Sequence, residues 1–261
     1  MALRLWKKKL PPREVKEMKA KFKTEEGVFD AKTRFALYGF LNKQVIVTVD
    51  YPISTGKEAD VYRVTTGPLF EKNGRKAAQY AAAKLFRIET ANFQRMQDYI
   101  FPDPRFEKIK HSKREVVYAW VRKEYKNLLI CKEAGVPVPE PYLFDKNVLL
   151  MEFIGEEGVP DTTLKDLGSE NPEKDCGTLL GYVKKLYKHG FVHADLSEFN
   201  VLVHGYPDYK LYLIDLGQGV VLGHPMAQLF LERDVRNIIH YFKRYGVRKD
   251  FDETMKWVRG K

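Results

Sequence analysis

The sequence predicts an α+β fold in two lobes: an N-terminal antiparallel sheet lobe carrying one main helix, then a reduced, mainly helical C-terminal lobe. Three observations carry that reading. Strand-like stretches crowd the interval 45–86, one long amphipathic helix follows at 113–135, and helical spacing dominates from 172 onward. The expected divisions are 1–44 for a basic arm with helices, 45–152 for the sheet lobe and 153–261 for the helical lobe.

Residues 1–26, MALRLWKKKLPPREVKEMKAKFKTEE, are mostly basic and read as an arm with a short helix after Pro12. In TRFALYGFLNKQ (33–44), Phe35, Leu37, Tyr38 and Leu41 recur at helical spacing. Val45, Val47 and Val49 alternate as in a strand, and Val61 and Val64 follow a turn that contains Gly56. KAAQYAAAKLF reads as another strand, with Lys84 set among small and apolar residues. Residues 88–112 are polar, are broken by Pro102 and Pro104, and read as a long loop or insert.

The helix at 113–135 places Val117, Trp120, Val121, Leu128 and Leu129 on one face and stops at Gly135. YLFDKNVLLMEFIG gives two short strands around a turn, and Gly155 to Gly168 reads as a polar crossover. A helix over 172–190 carries Leu179, Leu180, Val183 and Leu186 and ends at Gly190. VLV and KLYLID form a hairpin around HGYPDY, and 224–259 is helical.

Composition narrows the function classes. The 261 residues hold 45 Lys plus Arg against 35 Asp plus Glu, a formal charge of +10. That excess suits an anionic partner such as nucleic acid. With charged residues at 31%, a solvated surface rich in both signs explains it as well. No stretch approaches the ~18 apolar residues of a membrane span, and the N-terminus has no apolar run of the secretory kind. Cys131 and Cys176 are isolated and form no CxxC, so a reducing cytoplasm is expected, with no membrane partner.

The chemistry concentrates in HADLSEFN (193–200) and in IDLG fifteen residues later. Phosphoryl transfer needs a cation for the phosphates, one or two oxygens for a divalent metal, and a carboxylate for the acceptor. Asp195 stands where the loop carboxylate belongs. Asn200 and Asp215, joined through the hairpin, offer a neutral oxygen and a carboxylate to one ion, and Mg²⁺ prefers such hard oxygens completed by substrate phosphates. A single Asp before a strand is more often a turn or cap residue. The combination His193-x-Asp195-x₄-Asn200, two strands, then Asp215-x-Gly217 is not explained that way. His193 itself reads as structural, holding backbone near the loop.

Lys84 is the expected phosphate clamp. Its partner should be an acid on the next long helix, and Glu124, which borders the buried stripe, is preferred to Glu115. STGKEADVY (54–62) is neither a Walker A motif nor GxGxxG, yet before Lys84 it suits a lid over phosphates, with Ser54, Gly56 and Lys57 nearest them. MEFI (151–154) falls between the lobes, where the backbone of Glu152 and Ile154 could read an adenine ring.

Together STGKEADVY, WVRKEYKNL, MEFIG, HADLSEFN, IDLGQ and HP…FLERDVRNI resemble the RIO family of atypical serine/threonine protein kinases, in the first-type branch that lacks a winged helix. The resemblance implies a protein-kinase-like fold, ATP with Mg²⁺ or Mn²⁺, Lys84 paired with Glu124, Asp195 as catalytic carboxylate, and Asn200 and Asp215 as metal ligands. It further implies autophosphorylation, ATPase activity, and a part in maturation of the small ribosomal subunit, whose precursor and rRNA would be the partners. Only 46 residues follow Asp215, too few for a long peptide-binding platform. Thr90, Ser112 and, transiently, Asp215 are the expected acceptors within the chain. Two other readings compete: a small-molecule phosphotransferase of the aminoglycoside or choline type, and a non-enzymatic RNA-binding module on a kinase fold.

Overall fold

The computed structural model describes residues 31–260, apart from 69, 71–77, 90–91, 107–108, 110–111 and 206–207. The basic arm and its short helix lie outside the described residues. Helix α1 (Ala31–Asn42) is followed by strands β1 (Ile46–Thr55), β2 (Ala59–Thr66) and β3 (Tyr80–Phe86). Helices α2 (Phe93–Ile100) and α3 (Lys113–Glu133) come next, then strands β4 (Pro141–Asp145) and β5 (Val148–Glu152). These strands form one five-stranded sheet in the order β1-β2-β3-β5-β4, with every neighbouring pair antiparallel.

The two central strands explain the composition of KAAQYAAAKLF. Side chains alternate across a strand, and both faces of β3 are covered. Ala81, Ala83 and Leu85 face an outer cluster with Leu37 and Phe40 of α1, while Ala82 and Phe86 face the inner core that contains α3. Small residues let a helix approach on each side. Lys84 belongs to the inner set by the same alternation. In β5, Val148 and Leu150 join the outer cluster, and Leu149 and Met151 the inner one.

The alternation expected of Val45, Val47 and Val49 is broken. Ile46 and Val45 are both buried and Val47 is exposed. Irregular pairing between Ile46 and Thr48 inserts a bulge, which turns the following residues to the other face.

The loop expected over 88–112 is also corrected. Residues Phe93–Ile100 form helix α2, capped by the Asn92 side chain on the Arg95 amide, and Pro104–Phe106 form a 3₁₀ turn. Met96, Tyr99 and Ile100 are buried at the i, i+3, i+4 spacing of a docked helix. Tyr99 stacks on Phe230 and meets Trp120 edge-on. Eight residues between polar flanks give too short a period to stand out in the sequence beside Pro102 and Pro104.

Beyond β5 the chain makes the small hairpin β6 (Gly155–Glu156) and β7 (Val159–Pro160), then the one-turn helix α4 (Leu164–Leu167). The expected crossover therefore carries short structure of its own. Helix α5 (Pro172–Lys188) starts on a proline and stops at Gly190, whose φ of +80° suits only glycine without strain. Strand β8 (Phe191–Val192), the hairpin β9 (Val201–His204) with β10 (Lys210–Leu213), and β11 (Val220–Val221) carry the loops of the helical lobe. Helices α6 (Ala227–Lys243) and α7 (Phe251–Arg259) pack on α5 and close the fold. The fold is thus α+β, with a sheet lobe ahead of a mainly helical one. No helix among the described residues is long and apolar enough to cross a membrane.

Candidate active site

A cleft of about 970 Å³ is lined from one side by the β1–β2 turn and β3, and from the other by the 195–202 and 214–218 segments. Lys84, turned inward by the strand alternation, crosses its floor. Its Nζ lies 2.7 and 2.9 Å from the two oxygens of Glu124 and 3.0 Å from Asp215 Oδ1. Glu115, the alternative partner, sits in the first turn of α3 beside Arg114. Lys84 and Glu124 are almost sealed from solvent, at 8% and 1% exposure.

The protonation states follow from this arrangement. Burial alone would pull the Lys84 ammonium down, but the Asp215 and Glu124 carboxylates overcome it and hold it above its ordinary value. Lys84 in turn holds Asp215 below the carboxylate range. Glu124 is pushed up by burial, with Lys84 opposing. Asp195 is raised by burial and by the neighbouring charge of Asp215.

The loop that carries Asp195 is braced from α6. Asp234, buried in the helix, accepts the backbone N–H of Ala194 at 2.8 Å and of Leu196 at 2.9 Å. The two held amides bracket Asp195. Ala194 has a φ of +65°, strained for an alanine, and the brace stabilises that conformation. Arg233 donates to the Ala194 carbonyl and Asn237 to the Leu196 carbonyl. Where ordinary kinases carry an arginine in the loop, this chain has Ala194, and an arginine reaches the loop from α6. Asp234→Ala is expected to leave two buried amides unpaired and to lower unfolding free energy by about 3 kcal/mol. Urea unfolding measures this, and turnover should fall with it because Asp195 loses its frame.

His193 lies with Nε2 3.2 Å from the Ile214 carbonyl, linking the loop to the strand before Asp215. Burial takes its imidazole down to about 4, from an ordinary 6.5. The unfolded chain therefore gains this proton near pH 6.5 and the folded one only near 4. Stability is full above the first value and declines as pH falls toward the second, by about 3 kcal/mol in all. His193→Gln is expected to flatten that acid limb in unfolding curves taken between about pH 7 and about pH 4.5.

Asn200 closes the 3₁₀ turn Glu198–Asn200 and donates its amide to the Asp195 carbonyl at 2.8 Å. Its own carbonyl accepts the Ile214 N–H at 3.0 Å. The β9–β10 hairpin, paired Leu213 to Val201, thereby sets Asn200 beside the residue preceding Asp215. Asn200 and Asp215 would offer one side-chain amide and one carboxylate to an ion. No group of three His, Cys, Asp or Glu placed to hold a metal occurs among the described residues. Two hard oxygens fit Mg²⁺ completed by phosphates and water, and do not fit a caged metal.

The segment after Asp215 is fixed by α3. Lys123, fully buried, donates to the Gly217 carbonyl at 2.9 Å and also to the Gly219 carbonyl. Asn127 donates to the Leu216 and Gly219 carbonyls at 2.7 and 2.9 Å. A side chain at Gly217 would put its Cβ 2.7 Å from Trp120 Nε1, so the close approach of α3 requires glycine there. One helix thus supplies both the lysine's partner and the seat of the 215–219 segment.

Ser54, Gly56, Lys57, Glu152 and Ile154 all line the cleft. The Gly56 amide is engaged by the Ala59 carbonyl at 3.0 Å, so Gly56 shapes the turn, while Ser54 and Lys57 stay exposed. The Glu152 amide donates to Glu140, and the Ile154 carbonyl accepts from Asp161. Ser112 caps α3 through the Glu115 amide. Thr90 lies outside the described residues.

Asp234, Gln218, Lys123 and Asn127 were not anticipated. A signal existed for three of them. Asp234 sits on the stripe with Leu231, Val235 and Ile238, and Lys123 and Asn127 share the stripe of Val116 and Trp120. A polar residue on a buried stripe has a partner to find.

A strand lysine paired to a helix glutamate, a loop carboxylate, and an amide and a carboxylate at one hairpin define a phosphotransferase of the protein-kinase-like class. A family model described as the RIO domain matches residues 60–254, and the chain belongs to the RIO family of atypical serine/threonine kinases. It is 42% identical over 239 residues to the RIO-type serine/threonine-protein kinase Rio1 of Haloferax volcanii, covering 92% of this chain and 78% of that protein. It is 36% identical over 254 residues to Rio1 of Methanocaldococcus jannaschii, covering 95% and 83%. Among solved structures, the Rio2 kinase-ADP/Mg²⁺-phosphoaspartate complex from Chaetomium thermophilum shares the fold at a TM-score of 0.67 and 21% identity, covering 95% of this chain and 76% of that one.

Proposed function

We propose that this RIO kinase uses ATP and Mg²⁺, with Mn²⁺ able to replace it, as an autophosphorylating serine/threonine kinase and ATPase acting in maturation of the small ribosomal subunit. The observation that carries the reading is the convergence of Lys84, Asp195 and Asp215 on one cleft, with Glu124 buried against Lys84. Lys84 would hold the phosphates, with Glu124 fixing its position. Asp195 would orient the acceptor and take its proton, and Gln218, 2.8 Å away, would hold the carboxylate. Asn200 and Asp215 would hold Mg²⁺, which supplies charge neutralisation on the phosphates. Ser54, Lys57 and the turn shaped by Gly56 would cover the phosphates. Glu152 would offer a carbonyl, and Ile154 an N–H, to adenine.

The Rio2 complex with ADP, Mg²⁺ and phosphoaspartate supports the nucleotide and metal and makes Asp215 a reasonable acceptor. The charge of +10 supports an rRNA-containing partner, and the free Cys131 and Cys176 suit a reducing, cytoplasmic setting. The test follows the terminal phosphate of labelled ATP with Mg²⁺, with and without small ribosomal subunits. Label in free phosphate or in this chain, raised by subunits, is the expected result. Label transferred only to amino alcohols or aminoglycosides would favour the small-molecule reading, and no turnover at all would favour the RNA-binding module.

A further inference from the structure

Helix α2 brings one more charged side chain to the cleft. Arg95 lines it and is exposed. Its Nη2 lies 3.3 Å from Gln218 Oε1, and Gln218 Nε2 lies 2.8 Å from Asp195 Oδ2. The first of these bonds is long for N–H···O. Among the described residues no carboxylate comes within ion-pair distance of Arg95. Its charge is nevertheless felt by three of them, and it lowers the proton affinity of Glu58, Asp195 and Asp215. The guanidinium stands over the cleft, held by one neutral amide.

Packing sets its position. Met96, Tyr99 and Ile100 anchor α2, so the helix is placed while the arginine head can exchange its partner. The charges around it show what that partner is. Lys84 is already paired with Glu124 and Asp215, and the only other cations lining the cleft among the described residues are Lys57 and Arg95, against the further carboxylates of Glu58, Glu152, Asp161, Asp166 and Asp195. A polyphosphate entering there meets excess negative charge beyond the reach of Lys84 alone. Guanidinium is the side chain best matched to a phosphoryl group, through parallel N–H bonds.

We propose that Arg95 is a second cation for the terminal phosphate of the bound nucleotide, exchanging the Gln218 amide for phosphoryl oxygens. The proposal rests on the nucleotide reading given above. It makes α2 part of the site, and the release of Gln218 ties arrival of the triphosphate to the amide that holds Asp195.

The test is calorimetric binding of the imido analogue of ATP and of ADP, each with Mg²⁺, to the wild-type chain, Arg95→Ala and Arg95→Lys. Arg95→Ala is expected to weaken the analogue about tenfold and ADP less than about twofold, as loss of one charge-assisted contact predicts. Arg95→Lys should recover part of the difference, since it keeps the charge without the fork. Equal wild-type affinity of Arg95→Ala for both nucleotides overturns the proposal. So does an equal loss for both, which would make Arg95 a general support of the cleft. If the wild-type chain binds neither nucleotide, the functional reading fails first and this proposal with it, a result visible before any substitution is made.

Discussion

Asp195→Ala is expected to lower ATP turnover by about 10²–10⁴-fold, the range for losing a positioned general base. Nucleotide affinity and fold should survive the change. The loop is held by Asp234 through the amides of Ala194 and Leu196, not through the Asp195 side chain. Removing the carboxylate also removes repulsion, since burial and the nearby Asp215 both raise its proton affinity. The variant should therefore melt at the same temperature as the wild type or higher, an exchange of stability for activity common at catalytic sites. Asp195→Asn separates two roles. Its amide oxygen can still accept from Gln218 Nε2, so the loop geometry is kept while the base is lost. Turnover as low as in Asp195→Ala assigns the loss to proton acceptance. Turnover near wild type in either variant, measured as phosphate release, would remove Asp195 from the chemistry.

The fold was legible because its central elements obey simple periodicities. Gly135 and Gly190 mark the ends of α3 and α5, and the two strands around the 146–147 turn pair as their apolar runs suggest. The preference for Glu124 over Glu115 came from its place at the edge of the buried stripe, and geometry puts it 2.7 Å from Lys84. What stayed hidden depends on three-dimensional neighbours. Helix α2 is eight residues long and gains its stability from Trp120 and Phe230, which lie far away in sequence. The bulge after Ile46 depends on pairing with β2. The brace from Asp234 to the 194–196 loop spans some forty residues, and no local pattern states which backbone a buried acid will hold. Arg95 falls in a polar stretch of sequence, and only the packing of α2 brings it to the cleft.

Lys84→Met is expected to abolish more than catalysis. Turnover should drop by about 10²–10³-fold or more, as when a preorganised group facing transferred charge is removed. The same change leaves Glu124 buried at 1% exposure, beside Asp215, with its cation gone. Breaking a buried pair in this way costs about 3–5 kcal/mol when the remaining charge has no escape. Glu124 has one, because it can take up a proton. Burial already raises its proton affinity, and without Lys84 nothing in the pair opposes that rise. A carboxylate raised in the folded state keeps its proton after the unfolded chain has lost it. Stability therefore declines as pH climbs above the ordinary carboxylate value toward the folded one. The variant should be most destabilised at alkaline pH and should regain stability as pH is lowered toward about 5. The wild type, with the ion pair intact, should show a much weaker trend over that interval. Lys84→Met combined with Glu124→Gln removes the buried charge as well, and should recover stability at high pH without recovering turnover. Urea unfolding of the wild type, the two single variants Lys84→Met and Glu124→Gln, and the double variant at two pH values closes the cycle. If the single and double variants are equally stable at alkaline pH, the pair is not the buried charge couple that the 2.7 Å contact indicates.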